Sequence, residues 1–257
     1  MLIELGCADL CVAWQHAELG PPPPLFTVRG QDEEPDGATV RLTALGLITP
    51  LGHVHPDLCQ AMTAFAQSPV EVDLRFTAGR ARIRAAVATL DDAAHLAVVT
   101  GGHVRFSRVP AEAAVAALVG VLPAERPAGG TPVCLPVADV DLAVTRSMEA
   151  PHRADEVFVD ALVERGVDLA DARLFTTLVG SRRVRLAEFG ITFLDRARVR
   201  QRCAASVQVV DTRYGRAVLC ATHDYVLAAP ADEVTVVREL TRLRDAELDR
   251  LRGNRLG

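Results

Sequence analysis

One segment of the chain occurs twice, and that constrains the fold more than any motif. Displaced by about 120 positions, 80–122 falls without a gap on 200–242. Arg80 lands on Arg200, Arg82 on Arg202, Asp91 on Asp211, His103 on His223 and Pro110 on Pro230. Matches of alanine and valine mean little in so Ala- and Val-rich a chain; matches of Arg, Asp, His and Pro in one register mean more. Each copy reads as three strands, a proline and a helix. The spacing exceeds the ~20–50 residues of a solenoid repeat. It predicts a duplicated half-domain: one domain over 1–257 built of two halves, about 1–130 and 150–257, related by approximate two-fold symmetry.

Local signals fill in the elements. Met1 to Leu5 reads as a strand, and Asp9 caps a helix to about Leu19. Pro21 to Pro24 is a stiff spacer, followed by a strand over Leu25–Arg29 and an acidic loop over Gly30–Gly37. Thr39–Leu45 is a short helix, and His55-Pro56-Asp57 opens another with proline in its first turn. In 70–76, Val70, Val72, Leu74 and Phe76 alternate with Glu71, Asp73 and Arg75, the pattern of a half-solvated antiparallel strand. Thr77–Arg80 is its turn. Hairpin strands follow, then a helix over Ala111–Leu122 and a Pro/Gly-rich linker over Pro123–Gly130. Val133–Val144 reads as a strand leading into irregular chain. Ala154–Arg165 and Ala170–Val179 form a helical hairpin with Asp168 near the second cap. Strands then return, before a long C-terminal helix to about Arg252.

Composition removes several function classes. The 28 basic residues are all arginine, so no P-loop, Schiff-base or general-base lysine exists. A net charge of -5 and 4% aromatic residues leave little to hold or stack nucleic acid. Six cysteines without a CxxC spacing read as reduced thiols of a cytoplasmic protein, and no metal or other cofactor is implied. No apolar run approaches the ~20 residues that cross a bilayer. Cys7, Cys11 and His16 share a helix at a spacing that matches no zinc pattern, and His53 with His55 lack a third ligand. Glu71 and Asp73 imitate a catalytic pair, but Arg75, Arg82 and Arg84 surround them, which reads as a salt-bridged sheet surface. The arginines at 182, 183 and 185 and at 196, 198, 200 and 202 read as a solvated sheet face. No nucleophile elbow, HExxH or GxGxxG is present, so the chain reads as a non-enzyme.

The order of these elements resembles the EspG chaperones of actinobacterial type VII (ESX) secretion. Trp14 followed by Leu19-Gly20 and prolines resembles that family's opening. Val54-His55-Pro56-Asp57-Leu58 and the stretch from Pro69 to Arg75 resemble its passage from helix to sheet. Val109-Pro110, Phe189-Gly190, 209–212, Gly215-Arg216 and 229–232 continue the likeness. Gly30–Ala44 is shorter than the family's insert, and the Thr77–Arg80 and Asp195–Arg198 connections are short.

The resemblance implies an α+β fold, quasi-two-fold symmetric, with a central antiparallel sheet and flanking helical bundles. It implies a cytosolic chaperone that holds the tip of a PE–PPE-type helical heterodimer, keeps it soluble and delivers it to the secretion machinery. A weak homodimer is left open. So are another interaction module on the same scaffold (an immunity protein or regulator) and an unrecognised enzyme. The implied grip uses the central sheet, the C-terminal helices and the first hairpin turn. That nominates Arg75, Phe76, Gly79 and Arg80, then Val207, Val209, Arg213 and Tyr214, and Arg238 and Arg242 on the last helix.

Overall fold

A computed structural model describes residues 2–27, 35–180, 183–195 and 199–253. The fold is mixed α+β, with a large antiparallel sheet and several helices. The chain divides into two compact units. The first takes Met1–Arg75, Arg82–Val121 and Ile191–Arg202; the second takes Phe76–Ala81, Leu122–Gly190 and Cys203–Gly257.

In the first unit, β1 (Leu2–Gly6) runs straight into α1 (Cys7–His16), followed by α2 (Pro35–Ala44) and α3 (Pro56–Gln67). Then come β2 (Val70–Ala78), β3 (Ala81–Leu90), β4 (Ala93–Thr100) and β5 (His103–Pro110), and a 3-10 turn leads to α4 (Ala114–Val119). The strands lie in the order β1-β5-β4-β3-β2. Pro56 occupies the first turn of α3, and the His55 Nδ1 accepts the Asp57 N–H at 3.3 Å. The helix then buries Leu58, Met62 and Phe65 completely. Phe65 joins Trp14, Phe26 and Phe106 in an aromatic cluster with ring centroids 5.3 to 6.0 Å apart. Such tilted and edge-on pairs add to the stabilisation from buried area.

The second unit contains β6 (Val133–Pro136), α5 (Val137–Glu149), α6 (Ala154–Glu164) and α7 (Leu169–Val179). It continues through β7 (Arg183–Leu194), β8 (Arg200–Thr212), β9 (Gly215–Ala221), β10 (Tyr225–Pro230) and α8 (Glu233–Gly253). Its strands lie in the order β7-β8-β9-β10-β6. The end of β7 and the start of β8 count with the first unit. The carboxylate of Asp168 caps α7 by accepting the Ala170 N–H at 2.7 Å. Phe158 and Phe175 stack at 6.1 Å in a core with Leu162, Leu178, Ala217 and Ala228.

Both units repeat the succession of hairpin strands followed by a helix. The hairpins do not keep the ungapped 120-residue register. The closing pair Leu90–Ala93 of one hairpin corresponds to Thr212–Gly215 of the other, and both members are displaced by 122. Asp91 therefore sits in a turn at φ 55°, whereas Asp211 is buried within β8. A shift of two residues preserves which face of a strand each side chain takes, so the apolar pattern survives it.

Several local expectations are corrected. Gly6, not Asp9, precedes α1; Asp9 lies in its first turn and pairs with Arg41 of α2 at 2.7 Å. Residues 25–27 form a turn rather than a strand, and 28–29 lie outside the described residues, as does most of the acidic loop. The helix expected over 111–122 is a 3-10 turn and a short helix. The irregular chain expected after β6 is the helix α5.

The supposed linker at 123–130 is docked on β9. Ala128 N–H donates to the Arg216 carbonyl and Arg216 N–H to the Arg126 carbonyl, both at 2.8 Å. Gly215 makes this approach possible. At φ 120°, a Cβ there would stand 2.6 Å from the Pro127 carbonyl oxygen.

Candidate docking surface

The polar face of β2 is covered at Glu71 and Asp73, while Arg75 is exposed. Glu71 and Asp73 are buried, and their partners come from the start of β8 rather than from β3. Arg200 Nη1 lies 3.0 Å from Glu71 and Arg202 Nη1 lies 2.6 Å from Asp73. Arg200 also donates to the Phe65 carbonyl near the end of α3. Burial pushes the Glu71 carboxyl up to about 7 despite the opposing pull of Arg200. These carboxylates form a structural clamp, which is a reason against reading them as an acid–base pair. Arg182, Arg196 and Arg198 of the arginine clusters lie outside the described residues.

The open surface of the second unit is a groove between its helices and strands. One pocket of about 390 Å³ lies among α5, α6, α7 and strands β8 to β10. Val140, Val144, Phe158, Phe175 and Leu219 give it an apolar lining. A second pocket of about 560 Å³ adjoins it, and Asp155, Thr176 and Gly180 line both. Asp155, Glu156 and Asp160 give this end three carboxylates, lined as well by Arg173 and the β8–β9 turn, and Glu156 is paired with Arg153 at 2.7 Å. Val144 is 42% exposed and Tyr214 is 43% exposed, so both present apolar surface to solvent.

Strand register decides which nominated residues belong here. Directly opposed residues of an antiparallel pair project to one face. Val207 pairs with Cys220 and Val209 with Val218; Gln208 pairs with Leu219. Leu219 and Gln208 line the groove, so Ser206 and Gln208 face it, while Val207 and Val209 face away and are 2% exposed. Val207 and Val209 are therefore core residues, as is Phe76 at 6% exposed. An apolar alternation on a strand marks its buried face; Ser206 and Gln208 mark the face turned to the groove.

Arg213 and Tyr214 form the β8–β9 turn and line the acidic pocket. The Arg213 guanidinium carbon lies 4.6 Å from the Tyr214 ring centroid and its Nη2 donates to the Tyr214 hydroxyl. Arg238 and Arg242 are exposed on α8, both paired with Glu239, at 3.4 and 3.1 Å. Gly79 and Arg80 are exposed in the β2–β3 turn, and Arg75 is exposed on β2.

The histidines that follow, and Cys7, do not line the groove. His55 caps α3 and Cys7 is buried beside α1's apolar face. His103 opens β5 and His223 lies in the β9–β10 turn, both exposed. His95, passed over in the sequence, is buried in β4, and burial with nearby Arg108 lowers its pKa. Among the described residues, no His, Cys, Asp and Glu side chains gather as three or more metal ligands. Among those residues no helix is long and apolar enough to cross a membrane.

Comparison with known proteins adds the family. No curated protein matches the sequence. The solved structure of the Mycobacterium tuberculosis type VII secretion system chaperone EspG5 in complex with a PE25-PPE41 dimer has the same fold. It superposes with a TM-score of 0.73 at 15% sequence identity, over 92% of this chain and 93% of that chain. A model of the EspG family matches residues 7–242, and the chain belongs to that family.

Proposed function

We propose that this protein is a non-catalytic chaperone of type VII secretion that binds a PE–PPE-type helical heterodimer in the cytoplasm and delivers it for export. Membership of the EspG family supports this reading, as does a fold shared with a chaperone solved with such a dimer. The observation that carries it is the open groove of the second unit, apolar along Val140, Val144 and Phe158 and acidic at its end. An apolar patch rimmed by polar groups suits a partner that would otherwise aggregate. Release needs no chemistry in such a scheme, only competition for the same surface.

Within this reading, Arg213 and Tyr214 contact the client at the acidic end of the groove, and Val144 contacts its apolar part. Arg75, Gly79, Arg80, Arg238 and Arg242 are exposed and stay in the proposed contact set. We read the two units as products of an ancient duplication, supported by their common strand-and-helix succession. The test is co-expression with a PE–PPE-type pair encoded beside the gene, followed by gel filtration with light scattering. A 1:1:1 complex is expected. Separate elution of chaperone and dimer at micromolar concentration would overturn the reading.

A further inference from the structure

The polar face of β2 borders a cavity of about 370 Å³ in the first unit, whose other walls include Pro23, Pro24 and Leu25. Four guanidinium groups and two carboxylates line it. Their charges do not cancel. Arg200 is engaged by Glu71 and Arg202 by Asp73. Arg75 and Arg84 have no carboxylate partner among the described residues. Arg84 is nevertheless fixed: its Nη1 donates to the carbonyls of Pro24 and Thr27 at 3.2 and 3.1 Å. Neutral carbonyls orient a guanidinium without neutralising it, which leaves a held, uncompensated charge at a partly apolar wall.

We propose that Arg75 and Arg84 form a binding site for a monoanionic carboxylate carried on a short apolar stem. The guanidinium fork matches a carboxylate in plane and spacing. The wall of Pro23, Pro24 and Leu25 takes the stem. The excess of guanidinium groups favours any anion, so the apolar wall is what selects a stem-bearing carboxylate over phosphate. The site does not depend on the chaperone reading. The bound carboxylate belongs either to a free small acid or to an Asp or Glu side chain of a docked client.

The probe is butyrate, titrated at constant ionic strength into the full-length protein and followed through the arginine Nε–Hε resonances in ¹⁵N spectra. The expected result is a saturable shift of Arg75 and Arg84, weaker at least tenfold in Arg75→Gln. Arg75 holds no carbonyl, so that loss with an unchanged Tm separates binding from a loosened turn. The site is refuted by a linear, unsaturable shift, by undiminished affinity in Arg75→Gln, or by inorganic phosphate binding as tightly as butyrate. Client affinity of the same variant then names the source. A matching tenfold fall assigns the carboxylate to the client, and no change assigns it to a free acid. Absence of any client complex would count against the chaperone alone, since the butyrate titration needs no partner.

Discussion

Arg216 and Asp211 face each other across β9 and β8 as a two-pronged ion pair, Nε to Oδ1 at 2.7 Å and Nη2 to Oδ2 at 3.0 Å. Both side chains are 3% exposed. Arg185 Nε approaches the same carboxylate at 2.9 Å, out of line for a hydrogen bond. The Arg216 Nη2 also donates to the Pro123 carbonyl at 2.8 Å, and its main chain holds Arg126, Ala128 and Ala231. One residue thus fastens the 123–128 segment and the entry to α8 onto the sheet.

Removing Arg216 would leave the buried Asp211 with only the misaligned Arg185 as counter-charge, and a buried carboxylate so poorly compensated is worse than losing both partners. Arg216→Ala should therefore lower stability by about 3–5 kcal/mol in urea unfolding. Adding Asp211→Ala should cost less than the sum of the two single changes. A loss below about 1 kcal/mol for Arg216→Ala would show the pair to be incidental.

Glu71 predicts a pH dependence. Its carboxyl lies at about 7 in the folded chain, above an ordinary value near 4.5, mainly because burial disfavours the charged form. Between those values the folded state holds a proton that the unfolded state has lost, so stability from this group falls as pH rises from about 4.5 to about 7. The full effect is on the order of 3 kcal/mol. Glu71→Gln should flatten that part of the stability profile, measured as Tm or urea midpoint from pH 4.5 to 8. An equally steep fall in Glu71→Gln would assign it to other groups.

The thiols should differ in reactivity. Burial first, then the neighbouring Glu247, pushes Cys203 up to about 11. Burial and the charge of Glu239 bring Cys220 to about 11 as well. A thiol in that range carries almost no thiolate at neutral pH. Cys134 on β6 is exposed. Brief iodoacetamide treatment of the native protein at pH 7.5 should mark Cys134 while sparing Cys203 and Cys220, read by peptide mass spectrometry. Early modification of Cys203 would contradict its burial beside Glu247.

What the sequence revealed depended on distance along the chain. His55-Pro56 opened α3 as expected and Asp168 capped α7, because caps are local devices. The alternation in β2 was legible too. The cover over Glu71 and Asp73 was not, because Arg200 and Arg202 lie 129 residues away and only the strand order brings them near. Hairpin strands followed by a helix were legible in both stretches, but the closing pairs correspond at 122 rather than 120 residues, a two-residue shift that preserves strand faces. The nominated sheet residues fell partly on a buried face. Val207 and Val209 were taken from the central sheet, and the strand turns both to the core. The α5 wall of the groove fell where 133–144 had been read as a strand and irregular chain.

The central claim is that the second unit's groove seats the client, and Val144 tests it most directly. It is half-exposed at the apolar pocket, so Val144→Asp places a charge on the docking surface without disturbing a filled core. Isothermal titration of the PE–PPE-type dimer into the wild-type protein and this variant should show at least a tenfold loss of affinity, with both proteins melting at the same temperature. Equal affinity for the two proteins would place the client elsewhere and contradict the account.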